Sequence, residues 1–220
     1  MCNKKIWDAQ ISILKKKYII SIPSLKNITT VDDAVQQITN KYKKKISVIG
    51  FSMGGFIAIK LAIDYPELLD NLVLIGTNAR NISQKRKLLL EKSLTTLNKN
   101  NFAKLFYQKN YSSYFSDKDL KNTSYQNTVY SMATQLGYKT FLDQTNLILN
   151  RPNQLNKLNK IVSKTLIIRG KNDKLSSNSM NIELNKKIKY SVYKEIKNSS
   201  HFVMLEKPKT FNKIVTNFLF

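Results

Sequence analysis

The stretch Ile46-Ser47-Val48-Ile49-Gly50-Phe51-Ser52-Met53-Gly54-Gly55 decides the fold of this 220-residue chain. An apolar run ends at Gly50, the next residues complete a G-x-S-x-G pattern around Ser52, and an apolar helical run extends from Phe56 to Tyr65. A strand, a sharp glycine-rich turn and a helix are the context in which such a serine is held exposed above a sheet. The alternative interpretation is a glycine-rich turn with a structural use only, because the bare pattern also arises by chance.

Similar apolar runs on both sides of this stretch predict a parallel sheet. A Thr-x-x-Asp start at Thr30 opens a helical pattern that runs to Tyr42, and another helical pattern, Phe211–Phe220, closes the chain. Strands alternating with helices predict an α/β fold with a mostly parallel sheet flanked by helices. The further strand candidates are Tyr18–Ile22, Leu72–Ile75, Thr165–Ile168 and Tyr190–Tyr193.

The segment 81–160 differs from the rest of the chain because it has no convincing strand. It holds amphipathic runs such as Lys85–Leu97 and Phe141–Leu149. We therefore expect a helical insertion at 81–160 that divides the α/β core into a first part, 1–80, and a second part, 161–220.

The charge balance is strongly basic, with 37 Lys and Arg against 14 Asp and Glu and a net charge of +23. A nucleic-acid or anionic-membrane binder is one interpretation. However, only four of the basic residues are arginine, and the lysines are scattered among abundant Asn and Ile, which favours codon bias and no dedicated nucleic-acid partner. No apolar stretch approaches the ~20 residues of a membrane-spanning helix, so we expect no membrane partner and a cytoplasmic protein.

The counts of cysteine and histidine exclude several kinds of site. One cysteine, Cys2, excludes an internal disulfide and a zinc site built on several thiolates. One histidine, His201, excludes a metal site built on several histidines. Any chemistry that depends on histidine must therefore use this single position.

An aspartate and the histidine follow Ser52 in a meaningful order. Asp173 comes in the loop after the strand candidate Thr165–Ile168, and His201 lies between the last strand candidate and the last helix. Taken singly, Asp173 could be a turn or capping residue and His201 a structural histidine. The order Ser, Asp, His is that of a hydrolytic triad built on an α/β sheet, and it predicts that Ser52, Asp173 and His201 meet.

With these motifs, the sequence resembles the α/β-hydrolase superfamily, most closely its small serine esterase and enol-lactonase-like branch. The turn around Ser52 and the histidine loop carry the resemblance at the superfamily level. Further segments that look like this branch are 7–14, 74–80, 137–152 and 201–208. The resemblance implies that the helical insertion is a cap, and that strands usual at the N-terminal side of the fold are missing here.

The resemblance also implies roles for the matching residues. Ser52 would attack an ester or related acyl carbonyl and form an acyl-enzyme, His201 would move the proton, and Asp173 would orient the imidazole. The backbone N–H of Met53 would stabilise the oxyanion, with no metal or organic cofactor. A small-molecule carboxylic ester is the expected substrate (class EC 3.1.1), and the alternatives are a lactonase or carbon–carbon bond hydrolase, or a catalytically impaired, truncated homologue.

The start of the chain departs from the family pattern. Met1 and Cys2 resemble the end of the loop that supplies the second oxyanion donor, so either could be that donor, and we expect the natural chain to begin upstream of Met1. Arg151 could bind a substrate carboxylate, or alternatively could be a surface residue or form an ion pair between cap and core. The oligomeric state is not readable from the sequence.

Overall fold

The computed structural model describes all 220 residues. Its centre is a four-stranded parallel sheet in the order β1-β2-β3-β4, formed by β1 (Ile46–Phe51), β2 (Leu69–Ile75), β3 (Lys164–Gly170) and β4 (Ser191–Ile196). The register pairs Val48 with Leu72 and Val73 with Leu166. The prediction of a parallel sheet is confirmed, and the central strands β2 and β3 are the apolar runs whose side chains are buried on both faces.

Helices cover both faces of the sheet. One apolar core lies between the sheet and α2 (Val31–Lys41), α3 (Met53–Asp64) and α7 (Asn178–Lys187). A second core lies on the opposite face, under α1 (Asp8–Leu14), α8 (Val203–Glu206) and α9 (Pro208–Leu219). As the sequence predicted, Thr30 caps α2 by accepting a hydrogen bond from the N–H of Asp33.

Three long helices lie between β2 and β3, with no strand among them. They are α4 (Gln84–Thr96), α5 (Phe102–Tyr114) and α6 (Thr123–Leu149), and α6 bends at Gly137, where φ is 77°. Phe102, Phe106 and Phe141 form a small aromatic cluster inside this segment. None of the helices in the structure combines the length and the apolar composition needed to cross a bilayer.

The prediction of a strand at Tyr18–Ile22 is wrong. This segment is irregular, and Ile19 is fully exposed. An apolar β-branched run becomes a strand only when a neighbouring strand accepts its hydrogen bonds. Here the nearest strand, β1, is the edge of the sheet, and an apolar groove of about 420 Å³ separates the two segments.

Candidate active site

The turn after β1 holds Ser52 in a strained conformation. Ser52 has φ 51° and ψ −112°, a left-handed backbone that costs a non-glycine residue energy and is typical of functional sites. Close packing explains the flanking glycines: a Cβ on Gly50 would lie 2.6 Å from the carbonyl oxygen of Gly54, and a Cβ on Gly55 would lie 2.7 Å from Thr77. The tight turn therefore requires glycine at positions 50 and 55, whereas a Cβ on Gly54 would meet nothing within 4 Å.

Local hydrogen bonds fix the turn while leaving the serine hydroxyl free. The N–H of Ser52 donates to the carbonyl of Ile75 on β2 at 2.8 Å, and the Thr77 hydroxyl donates to the carbonyl of Ser52 at 2.8 Å. Ser52 stands at the N-cap of α3, yet its side chain makes no capping bond. Its Oγ is thus available to a partner outside the helix.

That partner is His201. The distance from Ser52 Oγ to His201 Nε2 is 3.1 Å, and the other ring nitrogen, Nδ1, lies 2.9 Å from Oδ2 of Asp173. The structure brings the three predicted residues into one hydrogen-bonded chain. His201 and Asp173 are both buried, so the pair is shielded from bulk water.

Asp173 is fixed by more than the histidine. Its second oxygen, Oδ1, accepts the N–H groups of Leu175 at 2.8 Å and Ser176 at 3.0 Å. Arg169, buried at the end of β3, donates to the carbonyls of Asp173 and Ser176 and forms an ion pair with Glu195 at 2.8 Å. These bonds leave Oδ2 free to face the imidazole.

The loop that carries His201 depends on a buried carboxylate. Both oxygens of Glu206 accept the N–H of Ser200 at 2.9 Å. Burial raises the pKa of Glu206 to about 7, an effect that the hydrogen bond from Ser200 opposes and the nearby charges of Asp119 and Asp173 increase. The sequence offered Glu206 only as part of a family-like loop, so its structural contact was missed.

Aromatic side chains enclose the imidazole. Phe51 lies 4.8 Å from the His201 ring centre, and the ring of Tyr114 stacks on it at 6.1 Å with an interplanar angle of 20°. The N–H of His201 also donates to the Tyr114 carbonyl at 3.1 Å. Sequence reasoning missed Tyr114, because its position comes from the packing of α5 onto the core and no motif marks it.

The remaining predicted residues lie around this centre. Met53 is the first residue of α3, so its N–H is one of the helix-end amides that no preceding helical carbonyl accepts. Cys2 packs against the same core as Phe202, and burial raises the pKa of its thiol. Arg151 lies over the ring of Phe56, 4.9 Å from its centre. No three His, Cys, Asp or Glu side chains gather as metal ligands.

Comparisons with known proteins show the family of this chain. Residues 25–208 match the model of the alpha/beta hydrolase fold family. The chain is 26% identical over 180 residues to the alpha/beta hydrolase domain-containing protein VTE7 of Arabidopsis thaliana. The aligned region covers 80% of this chain and 54% of that protein. It is 33% identical over 84 residues to a pimeloyl-[acyl-carrier protein] methyl ester esterase of Wigglesworthia glossinidia brevipalpis, over 34% of this chain and 32% of that protein. The chain thus spans about half the length of the first of these relatives and a third of the second.

Two solved structures share the fold at low sequence identity. A thermophilic esterase from Thermogutta terrifontis superposes with a TM-score of 0.88 and 17% identity, over 99% of this chain and 85% of that one. The enol-lactonase from Burkholderia xenovorans LB400 superposes with a TM-score of 0.85 and 18% identity, over 99% and 86%. At such identities the likeness shows the fold alone.

Proposed function

We propose, from the premise that this chain belongs to the alpha/beta hydrolase fold family, that it is a serine hydrolase acting on small carboxylic esters or related acyl compounds. The observation that carries the proposal is the pairing of both His201 ring nitrogens, one with a strained Ser52 and the other with a buried Asp173. This is the constellation that activates a serine hydroxyl. The esterase among the relatives supports the same substrate class.

The proposed reaction has two steps. Ser52 Oγ attacks the acyl carbonyl while its proton moves to His201 Nε2, and the alcohol leaves with that proton as the acyl-enzyme forms. Water then attacks the acyl-enzyme while His201 again takes the proton, and His201 returns that proton to Ser52 Oγ as the bond between the acyl group and Oγ breaks and the acid is released. Asp173 accepts the hydrogen bond from Nδ1–H and stabilises the imidazolium during both steps.

The oxyanion donors and the cap are part of the proposal. The Met53 N–H, at the N-terminus of α3, is suited to the negative charge on the carbonyl oxygen. We assign the second donor to Met1 or Cys2. Support comes from Cys2, which packs against the apolar core that contains Phe202, the residue after His201. The helical segment 81–160 serves as the cap, because Tyr114 at the end of α5 reaches the imidazole.

No metal or organic cofactor enters the proposed reaction, since each proton transfer uses His201. We expect the substrate to be a small molecule rather than a nucleic acid or a membrane surface. The cytoplasmic location stays a prediction of the sequence.

A fluorophosphonate probe tests the nucleophile. We expect stoichiometric labelling of the folded wild-type protein at Ser52, as located by mass spectrometry. Ser52→Ala should abolish the labelling, and His201→Gln and Asp173→Asn should slow it by orders of magnitude. Ser12→Ala, on the exposed side of α1, is the matched control and should label normally.

Two outcomes would contradict the assignment. Labelling that persists in Ser52→Ala would show that another residue is the nucleophile. A folded wild-type protein that neither labels nor hydrolyses p-nitrophenyl esters, lactones or carbon–carbon bond substrates would show a catalytically impaired member. Product analysis with a lactone against a linear ester separates a lactonase from an esterase.

A further inference from the structure

Arg151 is a charged side chain without a charged partner at the junction of the helical segment and the core. Its guanidinium lies over the ring of the buried Phe56, and one nitrogen, Nη2, reaches Oδ1 of Asn78 at 3.5 Å. The Nε is buried and has no hydrogen-bond partner. A guanidinium has five N–H donors, so most of its hydrogen-bonding capacity is unused.

The other arginine buried in this chain shows the usual solution. Arg169 forms an ion pair with Glu195 at 2.8 Å, and even the more exposed Arg80 pairs with Glu183 at 2.7 Å. No carboxylate lies within ion-pair distance of Arg151. A partly buried cation with no anionic partner is costly unless a ligand supplies the missing charge.

The two residues that Arg151 contacts adjoin the turn of the proposed nucleophile. The N–H of Phe56 donates to the Ser52 carbonyl at 3.2 Å, and Asn78 follows Thr77, whose hydroxyl donates to the same carbonyl. Through Phe56 and Asn78, Arg151 is therefore connected to the turn that holds Ser52.

The electrostatics of Arg151 agree with its contacts. Burial lowers the pKa of Arg151 to about 10, the positive charge of Arg86 contributes to that decrease, and no acidic group opposes it.

We propose that Arg151 binds a carboxylate of the substrate, so that the enzyme prefers esters carrying a second, free carboxylate over neutral esters. The inference rests on the proposed hydrolase function and names its substrate class. The planar fork of donors on a guanidinium matches the two oxygens of a carboxylate, and the partly buried setting strengthens the pair.

The test uses two esters that differ only at the far end of the acyl chain, which is a carboxylate in one and a methyl group in the other. Mono-p-nitrophenyl glutarate carries the carboxylate, and p-nitrophenyl pentanoate has an acyl chain of the same length without it. We expect wild-type kcat/KM to be higher for the glutarate ester, and this preference to fall roughly tenfold or more in Arg151→Gln. Arg151→Lys keeps the charge without the fork and should give an intermediate preference.

The control is Arg80→Gln, which removes an arginine that already has a carboxylate partner and should keep the wild-type preference. Circular dichroism checks that each variant folds. If Arg151→Gln does not fold, the comparison of Arg151→Lys with Arg80→Gln carries the test. An unchanged preference in the folded Arg151 variants, or no preference in the wild-type protein, would overturn the proposal.

Binding of glutarate separates this inference from the proposed function. Calorimetry with free glutarate should show binding to the wild-type protein that weakens in Arg151→Gln. If glutarate binds in this way but neither ester is hydrolysed, the carboxylate site stands and the hydrolase function fails. If both esters are hydrolysed without any effect of Arg151, the hydrolase stands and the carboxylate site fails. Tighter binding of inorganic phosphate than of glutarate would overturn the choice of carboxylate.

Discussion

Glu206 is the buried carboxylate whose protonation matters most for the loop that carries His201. Its pKa of about 7 in the folded protein lies above the ordinary value of 4.5, because burial penalises the charged form. Between these two pH values, the Glu206 side chain is therefore protonated in the folded protein and ionised in the unfolded chain. The contribution of this group to stability is full below about pH 4.5 and is lost as the pH rises through about 7.

Glu206→Gln should flatten this part of the pH dependence. The amide does not titrate, and its oxygen still accepts the N–H of Ser200. We expect the free energy of unfolding, measured with urea, to fall less between pH 5 and pH 8 in Glu206→Gln than in the wild-type protein. Glu67→Gln, at an exposed glutamate in the short 3-10 helix Pro66–Leu68, is the control and should keep the wild-type dependence. Identical pH profiles for Glu206→Gln and wild type would refute the buried-carboxylate explanation.

Single residues differ in how far the sequence predicts them. Ser52 and His201 could be predicted to meet because each lies in a local pattern whose place in an α/β fold is fixed by chain order. Tyr114 could not, because the helical segment that positions it packs by shape, which no short motif records. The sequence offered Arg151 either as a ligand of a substrate carboxylate or as a surface or ion-pair residue, and its lack of a charged partner is visible only in three dimensions.

At the scale of elements, continuous apolar runs predicted β2 and β3 well. These strands are buried on both faces, so their composition has no alternation that could be confused with a helix or a surface strand. The same signal at Tyr18–Ile22 was misleading, because strand formation depends on a hydrogen-bonding neighbour as well as on the residues themselves. The local pattern contains no information about that neighbour.

The end of β3 and the histidine loop meet at Gly170. A Cβ on Gly170 would lie 2.1 Å from the carbonyl oxygen of Ser200 and 2.7 Å from that of Ser199. Both are backbone atoms, so they cannot move aside as a flexible side chain can. The adjacent hydrogen bond from the N–H of Asn172 to the Ser199 carbonyl, 2.8 Å long, ties the acid loop to the histidine loop.

Gly170→Ala should therefore destabilise the protein and displace His201. We expect a loss of roughly 1 to 3 kcal/mol in the free energy of unfolding, together with a decrease in kcat among the molecules that remain folded. Gly54→Ala is the matched control for stability, because a Cβ there meets nothing within 4 Å, and it should be neutral or stabilising by up to about 1 kcal/mol. Wild-type stability and kcat in Gly170→Ala would contradict this view of the two loops.

At the scale of the whole molecule, charge repulsion opposes compactness. The net charge is +23, and only six of the 37 basic side chains form an ion pair with a carboxylate: Lys60, Arg80, Lys87, Lys139, Arg169 and Lys174. The remaining positive charges repel one another across the surface. The exposed run Lys43–Lys45, immediately before β1, is one place where this repulsion is concentrated.

Salt should therefore stabilise this protein. Raising the ionic strength from about 20 mM to about 300 mM shortens the range of charge repulsion to less than ~10 Å, so we expect Tm to rise. Replacing Lys43, Lys44 and Lys45 by glutamine should raise Tm at low salt and have less effect at high salt, because screening already removes most of the repulsion there. Replacing the same three lysines by arginine keeps the charge and should leave the salt response unchanged. A Tm that falls with salt would contradict this prediction and would mean that attractive ion pairs outweigh the repulsion. If the glutamine variant raises Tm equally at both salt concentrations, the stabilisation comes from local packing rather than from the removal of charge.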